Sequence, residues 1–430
     1  VTDDKIFLIK IFMIRLIKNN PFLKNSAILF TGTMTVNVLN YVFHLLLGRM
    51  ASVELYGEIE SLISLSHIIS IPAAALGMIV TKYSAHAKAE NNPYGSHLIF
   101  KAFNQKIITF GIPIFLLMLS VTPLVRNFLK MEETWPIILL WILMLLGFFS
   151  SITNSMLIGW QKFKESSWVG IISTLVKIIV GVGLLKLGFG ASGIIGGFVL
   201  SGITLYILTI WFLRFTKKKN ENSEKEIDYS AMKKYLLPAL MGIISITILG
   251  NVDMVLAKNK LDAFTSGQYG ALTVASKAIF FATGILGSVL FTMSAEENHK
   301  KGNSLRQFRN AAGLTFLATG LATAFYFFFP KFVLGVFFGN KYDDAAQYLG
   351  WFAIMVSLYS FSHLFIQYLL SINKVKAAFS FMVIALLEIL TIFIFAKSIY
   401  DIISIVILIQ IIAILTGIYF IFKIKKENYV

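Results

Sequence analysis

Apolar residues run along this chain in blocks whose length approaches the ~20 residues an α-helix needs to cross a bilayer core, and short polar breaks part the blocks. The pattern predicts about twelve membrane-spanning helices, at roughly 25–48, 59–81, 105–125, 136–158, 167–186, 191–213, 236–257, 268–292, 311–330, 347–371, 377–396 and 401–422. The longest break, RFTKKKNENSEKEIDYSAMKKY (214–235), is polar and central. An all-α polytopic membrane protein with two pseudo-symmetric six-helix lobes follows: 25–213 and 236–422, joined by a cytoplasmic linker at 214–235. A cytoplasmic or interfacial segment at 1–24 precedes the lobes, and a cytoplasmic tail at 423–430 follows them.

Composition excludes the soluble alternative. The chain of 430 residues is 57% hydrophobic and 14% charged, whereas soluble domains carry about a quarter charged residues. Cysteine is absent, which removes disulfides and thiolate metal sites. Charge supplies the orientation. The N-terminal segment, the loops on its side and the C-terminal tail hold 27 of the 38 Lys and Arg residues, against nine in the opposite loops. Positive loops stay inside, so the chain is expected as a multi-pass protein of the cell (cytoplasmic or inner) membrane, both termini cytoplasmic. The net charge of +16 then reflects topology and attraction to anionic membrane lipids. No soluble basic domain exists to hold nucleic acid.

An internal repeat organises the spans. A shift of 213 residues lays Tyr56-Gly57 on Tyr269-Gly270, in two turns of similar outline, LLGRMASVELYGEIESL and LAKNKLDAFTSGQYGAL. A shift of 212 lays LIGWQKFK (157–164) on LLSINKVK (369–376). Duplicated halves of six spans enter the membrane in the same direction, and substrate is expected between them.

Polar groups inside spans are costly in lipid and face a bundle interior or a cavity. Asn37, Asn40 and His44 share a stripe on the first span, and Glu60, Ser64 and His67 share one on the second. The repeat sets Asn40 on Asp253 and Ser64 on Lys277, which shares a face with Thr273. Such residues either hydrogen-bond helix to helix or line a site. Lys277 and Lys177, both mid-span, are the leading cavity cations, with Arg49 at the outer mouth; Asp253 and Glu388 are placed to neutralise them. The stripe residues, Asp253 and Glu388 also suit proton or sodium coupling. There is no Walker loop, His-Glu zinc helix or nucleophile elbow. The outer loops are short, so a non-enzyme without cofactor or metal is expected.

The opening NSAILFTGTMTVNVLNYVFHLLLGRMASVELYGEIESLISLSHIISIPAAALGMIVTKYSAH and the later GWQKFKES resemble polysaccharide-biosynthesis flippases of the multidrug/oligosaccharidyl-lipid/polysaccharide exporter superfamily. The resemblance rests on GRM, YGE, IP and TKYSA and extends over most of the chain. It implies a two-lobed transporter that moves a lipid-linked oligosaccharide or polysaccharide repeat unit to the outer leaflet by alternating access. It also implies cavity cations for a polyprenyl pyrophosphate, a role that Lys277, Lys177 and Arg49 would fill. Expected partners are the anionic lipid-linked glycan, membrane lipids, and glycosyltransferases or a polymerase of the same pathway. A multidrug cation antiporter of the same superfamily and a membrane glycosyl polymerase or ligase are the alternatives.

Overall fold

A computed structural model describes residues 21–217, 230–299, 304–372 and 374–427. The expected segment at 1–24, the linker at 214–235 and the tail at 423–430 lie partly or largely outside them. The described residues form helices and turns, with no strand among them. In order these are α1 (Pro21–Met50), α2 (Val53–Ile69), α3 (Ile71–Ala89), α4 (Pro93–Lys106), a π-turn (Ile107–Gly111), α5 (Ile112–Phe128), α6 (Trp135–Gly159), α7 (Phe163–Lys186) and α8 (Gly190–Phe212). There follow α9 (Ser230–Leu249), α10 (Val252–Lys260), α11 (Ala263–His299), α12 (Ser304–Phe328), α13 (Pro330–Phe338), α14 (Ala346–Ser371), α15 (Val375–Phe395) and α16 (Ile399–Glu427).

Ten of the helical stretches are long and apolar enough to cross a membrane, or twelve when each of two bent pairs counts as one span. The chain is a multi-pass membrane protein. Both bends have local causes. Between α2 and α3 the axis turns by 43°, where Pro72 removes a helical N–H and crowds the preceding turn. Between α9 and α10 it turns by 42° at Gly250-Asn251. In lipid, carbonyls freed by a break must find donors inside the protein, and three side chains supply them. Tyr359 Oη donates to Ile246 O at 3.0 Å, Asn251 Nδ2 to Thr247 O at 2.9 Å, and Gln410 Nε2 to Leu249 O at 3.4 Å. A Cβ on residue 250 would lie 2.5 Å from Tyr359 Oη, so glycine is what lets that tyrosine approach.

The repeat is visible in the backbone. Lys162 N donates to Leu157 O at 2.9 Å, and Lys374 N donates to Leu369 O at 3.0 Å. Each lysine then caps the next helix with nearly the same dihedrals, φ −83°, ψ 56° and φ −84°, ψ 77°. The two turns that carry the Tyr-Gly pairs differ by one helical turn. Ser52 caps α2 by accepting from Leu55 N, whereas Asp262 caps α11 by accepting from Thr265 N. The second span therefore begins at Val53, ahead of the expected 59, and Gly57 lies inside the helix.

Two compact units divide the chain: residues 1–43, 76–120 and 138–227 form one, and 44–75, 121–137 and 228–430 the other. This partition does not follow the expected lobe boundary, because 44–75 and 121–137 pack in the unit that holds the C-terminal spans. Glycine explains part of that packing. A Cβ on Gly57 would stand 2.7 Å from Gly267 N, and one on Gly267 would run into Val53 O. Helices α2 and α11 cross there with backbones nearly touching, as small residues permit in membrane bundles. Tyr56 and Tyr269 flank the crossing, both with no exposed surface. In the first unit, Gly181 and Gly197 bring α7 and α8 together in the same way.

Candidate substrate and ion site

The two broken helices meet at one point. Asn251 caps the break that begins α10, and His67 lies in the last turn of α2. His67 Nδ1 is 3.1 Å from Asn251 Oδ1, and Lys277 Nζ of α11 donates to the same oxygen at 3.1 Å. These groups open on a cavity of about 160 Å³ that Asp253 and Thr273 also line. Phe280, Phe281, Met355, Val356 and Tyr359 line it as well. Interrupted helices at such a place are the membrane form of a ligand site, since their ends offer unpaired backbone dipoles.

Lys277 has an unusual balance of charge. Among the described residues no carboxylate comes within ion-pair distance of it, although Asp253 and Glu60 attract it through space. Its ammonium carries three donors, and the neutral Asn251 accepts one of them. Asp253, in the cavity lining, is 4% exposed and accepts from Tyr269 Oη at 2.8 Å. Its other oxygen has no donor among the described residues, nor do either oxygen of Glu388, fully buried on α15, and Oε1 of Gln410.

The remaining sequence-predicted residues go elsewhere. Lys177, buried on α7, donates to Asn40 Oδ1. Its ammonium stands 4.6 Å from the ring of Phe43 and 4.7 Å from that of Phe198. Asn40 thus serves a lysine of the first unit, while His44, one turn on, serves the second: its Nδ1 lies 2.7 Å from Glu60 Oε1. Asn37 is half-buried and Ser64 buried, and neither lines the cavity. Arg49 also stands outside that lining. Its Nη2 donates to Val336 O at 2.6 Å, and Lys341 Nζ returns bonds to Arg49 O at 2.9 Å and Ala51 O at 3.2 Å. The turn that carries Arg49 is clasped against the end of α13 and the segment after it, where Tyr56, Phe338 and Tyr342 pack ring against ring.

Sequence reasoning overlooked Asn251, Tyr269, Tyr359, Phe281 and Gln410. For Asn251 a signal existed, the Gly-Asn pair inside an apolar run. Tyr269 was marked by the repeat though not as a site residue; for Phe281 and Tyr359 no signal existed, because rings are common throughout the spans.

Residues 96–347, more than half of the chain, match the family of polysaccharide biosynthesis proteins. The chain belongs to that family. Among curated proteins none matches it in sequence. Its fold is shared with solved transporters. An inward-facing multidrug resistance MATE family transporter of the MOP superfamily aligns with TM-score 0.75 at 13% identity, over 91% of this chain and 96% of that one. The lipid II flippase MurJ in an inward closed conformation aligns with TM-score 0.67 at 15% identity, over 91% and 87%. An outward-facing MATE transporter aligns with TM-score 0.62 at 14% identity, over 92% and 93%. The polysaccharide biosynthesis family is the one expected from GRM, YGE and GWQKFKES, and the MOP fold accords with the predicted spans.

Proposed function

We propose that this polysaccharide biosynthesis protein carries a lipid-linked, phosphate-bearing oligosaccharide or polysaccharide repeat unit from the cytoplasmic to the outer leaflet of the cell membrane by alternating access. One observation carries the reading: Lys277 presents an ammonium to a cavity, tethered by a neutral amide and, among the described residues, without a carboxylate at ion-pair distance. A cation in surroundings of low dielectric attracts a phosphate or diphosphate strongly. Family membership and the fold shared with MurJ support the substrate class. In cells, Lys277→Ala should abolish surface polysaccharide while the protein inserts at its usual level, and Lys277→Arg should restore part of the export. Unchanged export in Lys277→Ala would refute the reading.

Coupling belongs to the buried acids Asp253, in the cavity lining, and Glu388. The oxygens of Asp253 and Glu388 that have no donor among the described residues are acceptors that a proton or a sodium ion would satisfy, since a buried carboxylate without a donor is costly. Transport driven by a sodium or a proton gradient, and lost in Glu388→Gln, would test this. With orientation read from the Lys and Arg distribution, both termini face the cytoplasm. No chemistry on the substrate is assigned to the chain.

A second reading is export of an organic cation, which the MATE fold and the aromatic lining beside Asp253 favour. Drug resistance conferred on a pump-deficient host would support it.

A further inference from the structure

The ends of α1 and α13 hold each other. With orientation read from the Lys and Arg distribution, both lie on the outer side, as does the 3₁₀ segment after α13 (Asn340–Ala345). A helix leaves its last carbonyls without intrahelical donors, and here a cation from across the contact serves each. Arg49, in the last turn of α1, donates to Val336 O in the last turn of α13 at 2.6 Å. Lys341, just past α13, donates to Arg49 O at 2.9 Å and to Ala51 O at 3.2 Å. Each cation also meets the negative end of the other helix's dipole.

A ring completes the hold. Phe338 is seated where α1 has no side chain, since a Cβ on Gly48 would lie 2.1 Å from its Cδ1. Its centroid is 5.6 Å from that of Tyr56 and 5.4 Å from that of Tyr342, and all three rings are buried. The other face of α13 is open, with Phe332 62% and Val336 49% exposed. Both ends of the helix are joints. Phe329, before Pro330, leaves the helical region at φ −129°, ψ 45°. Gly339, at φ 77°, ψ −174°, takes a backbone conformation open essentially to glycine alone. A short rod between two such joints can turn as a unit, because hinges absorb their motion in a few residues.

Residues 44–75 come from the first half of the repeat yet pack in the unit that holds the C-terminal spans. Alternating access between halves requires such a contact to part on the outer side. We propose that α13 and its 3₁₀ segment form a strap that keeps the outer hairpin of the first half closed, and that the strap lifts when the protein opens outward. Its polar bonds suit that work: they run to backbone carbonyls from exposed side chains, and water replaces such bonds at small net cost. This inference rests on the alternating-access reading above.

The first test needs no substrate, so its failure and that of the transport reading are distinguishable. The chain has no cysteine, and Ala51, whose carbonyl Lys341 holds, is 2% exposed. In lipid nanodiscs the single thiol of Ala51→Cys should therefore react slowly with a charged maleimide. Adding Lys341→Ala, which removes an exposed side chain, should speed labelling about tenfold, as loss of a charged hydrogen bond would. Phe338→Ala should speed it further. The second test closes the strap. A Cβ on residue 48 would lie 3.2 Å from Phe338 Cγ, so Gly48→Cys with Phe338→Cys brings two Cβ atoms within disulfide reach. The oxidised pair should stop transport of a lipid-linked glycan in proteoliposomes, and reduction should restore it. Labelling unchanged by both substitutions, no cross-link between residues 48 and 338, or transport as fast when cross-linked as when reduced would each overturn the strap. Glycan transport absent in every form, with labelling as expected, would count against the transported substrate and leave the strap standing.

Discussion

Lys177 and Lys277 are the same residue type, each set in the middle of an apolar helix, and the fold treats them in opposite ways. Lys177 is buried between two phenylalanine rings with Asn40 at its tip. An ammonium desolvated between aromatic faces gains about 2 kcal/mol or more from their quadrupoles, so this charge already has a partner within its own unit. Lys277 is half-buried, sits at the rim of a cavity and holds one amide oxygen that it shares with His67. The difference lies in the second partner: a cation enclosed by its own protein is part of the architecture, and one left facing a cavity is available to a ligand.

The largest effect that this contrast predicts is at Lys277. Replacement by alanine should lower transport of a lipid-linked glycan into proteoliposomes by about a hundredfold, as loss of a charge-assisted contact to phosphate would, with little change in thermal stability. At Lys177 the balance should reverse. Lys177→Ala should destabilise the protein by about 2 kcal/mol, read as a lower unfolding midpoint, and reduce transport only as far as it reduces folded protein. A transport defect at Lys177 equal to that at Lys277, measured at matched folded amounts, would erase the distinction. A double-mutant cycle between Lys177 and Asn40 sharpens it further. The two single losses should exceed additivity, since each leaves the other's polar group without its bond.

Gly250→Ala tests the surroundings of Lys277 with a smaller expected change. A methyl group 2.5 Å from Tyr359 Oη must displace that ring, at a cost of about 1–3 kcal/mol, and substrate affinity should fall with it. If stability and affinity both match the parent, the bend does not position the site. Smallest of all should be Arg49→Ala. Its guanidinium is exposed and bonds a single carbonyl, so unfolding should shift by less than about 1 kcal/mol. Abolished transport with intact folding would return Arg49 to the substrate path.

The two halves teach a related lesson. At the repeat offset, Gly250-Asn251 stands where the first span has Asn37-Val38, and α1 runs unbroken while α9 and α10 part. Pro72 breaks the second span, and its counterpart, α11, is continuous. Duplication preserved the same backbone hydrogen bond in the turns at Lys162 and Lys374, at 2.9 Å and 3.0 Å, yet it placed one break in each half at non-equivalent positions. Those two breaks are the ones that meet at His67 and Asn251. IP in mid-span was legible as a motif; that it would face a Gly-Asn break in the other half was not.

Read alone, the chain determined its spans, its family resemblance and the two lysines, because burial in lipid imposes a length and a polarity that show in any single segment. The close helix crossing at Gly57 was also within reach, since close approach of backbones demands a residue without Cβ. Only the tertiary structure decided which charges have partners. Asn40 and His44 are four residues apart on one helix and serve different units, and Lys277 finds its cavity through a histidine and an asparagine from two other helices. Partnership of that kind depends on what stands across a helix interface, and one-dimensional spacing carries no record of it.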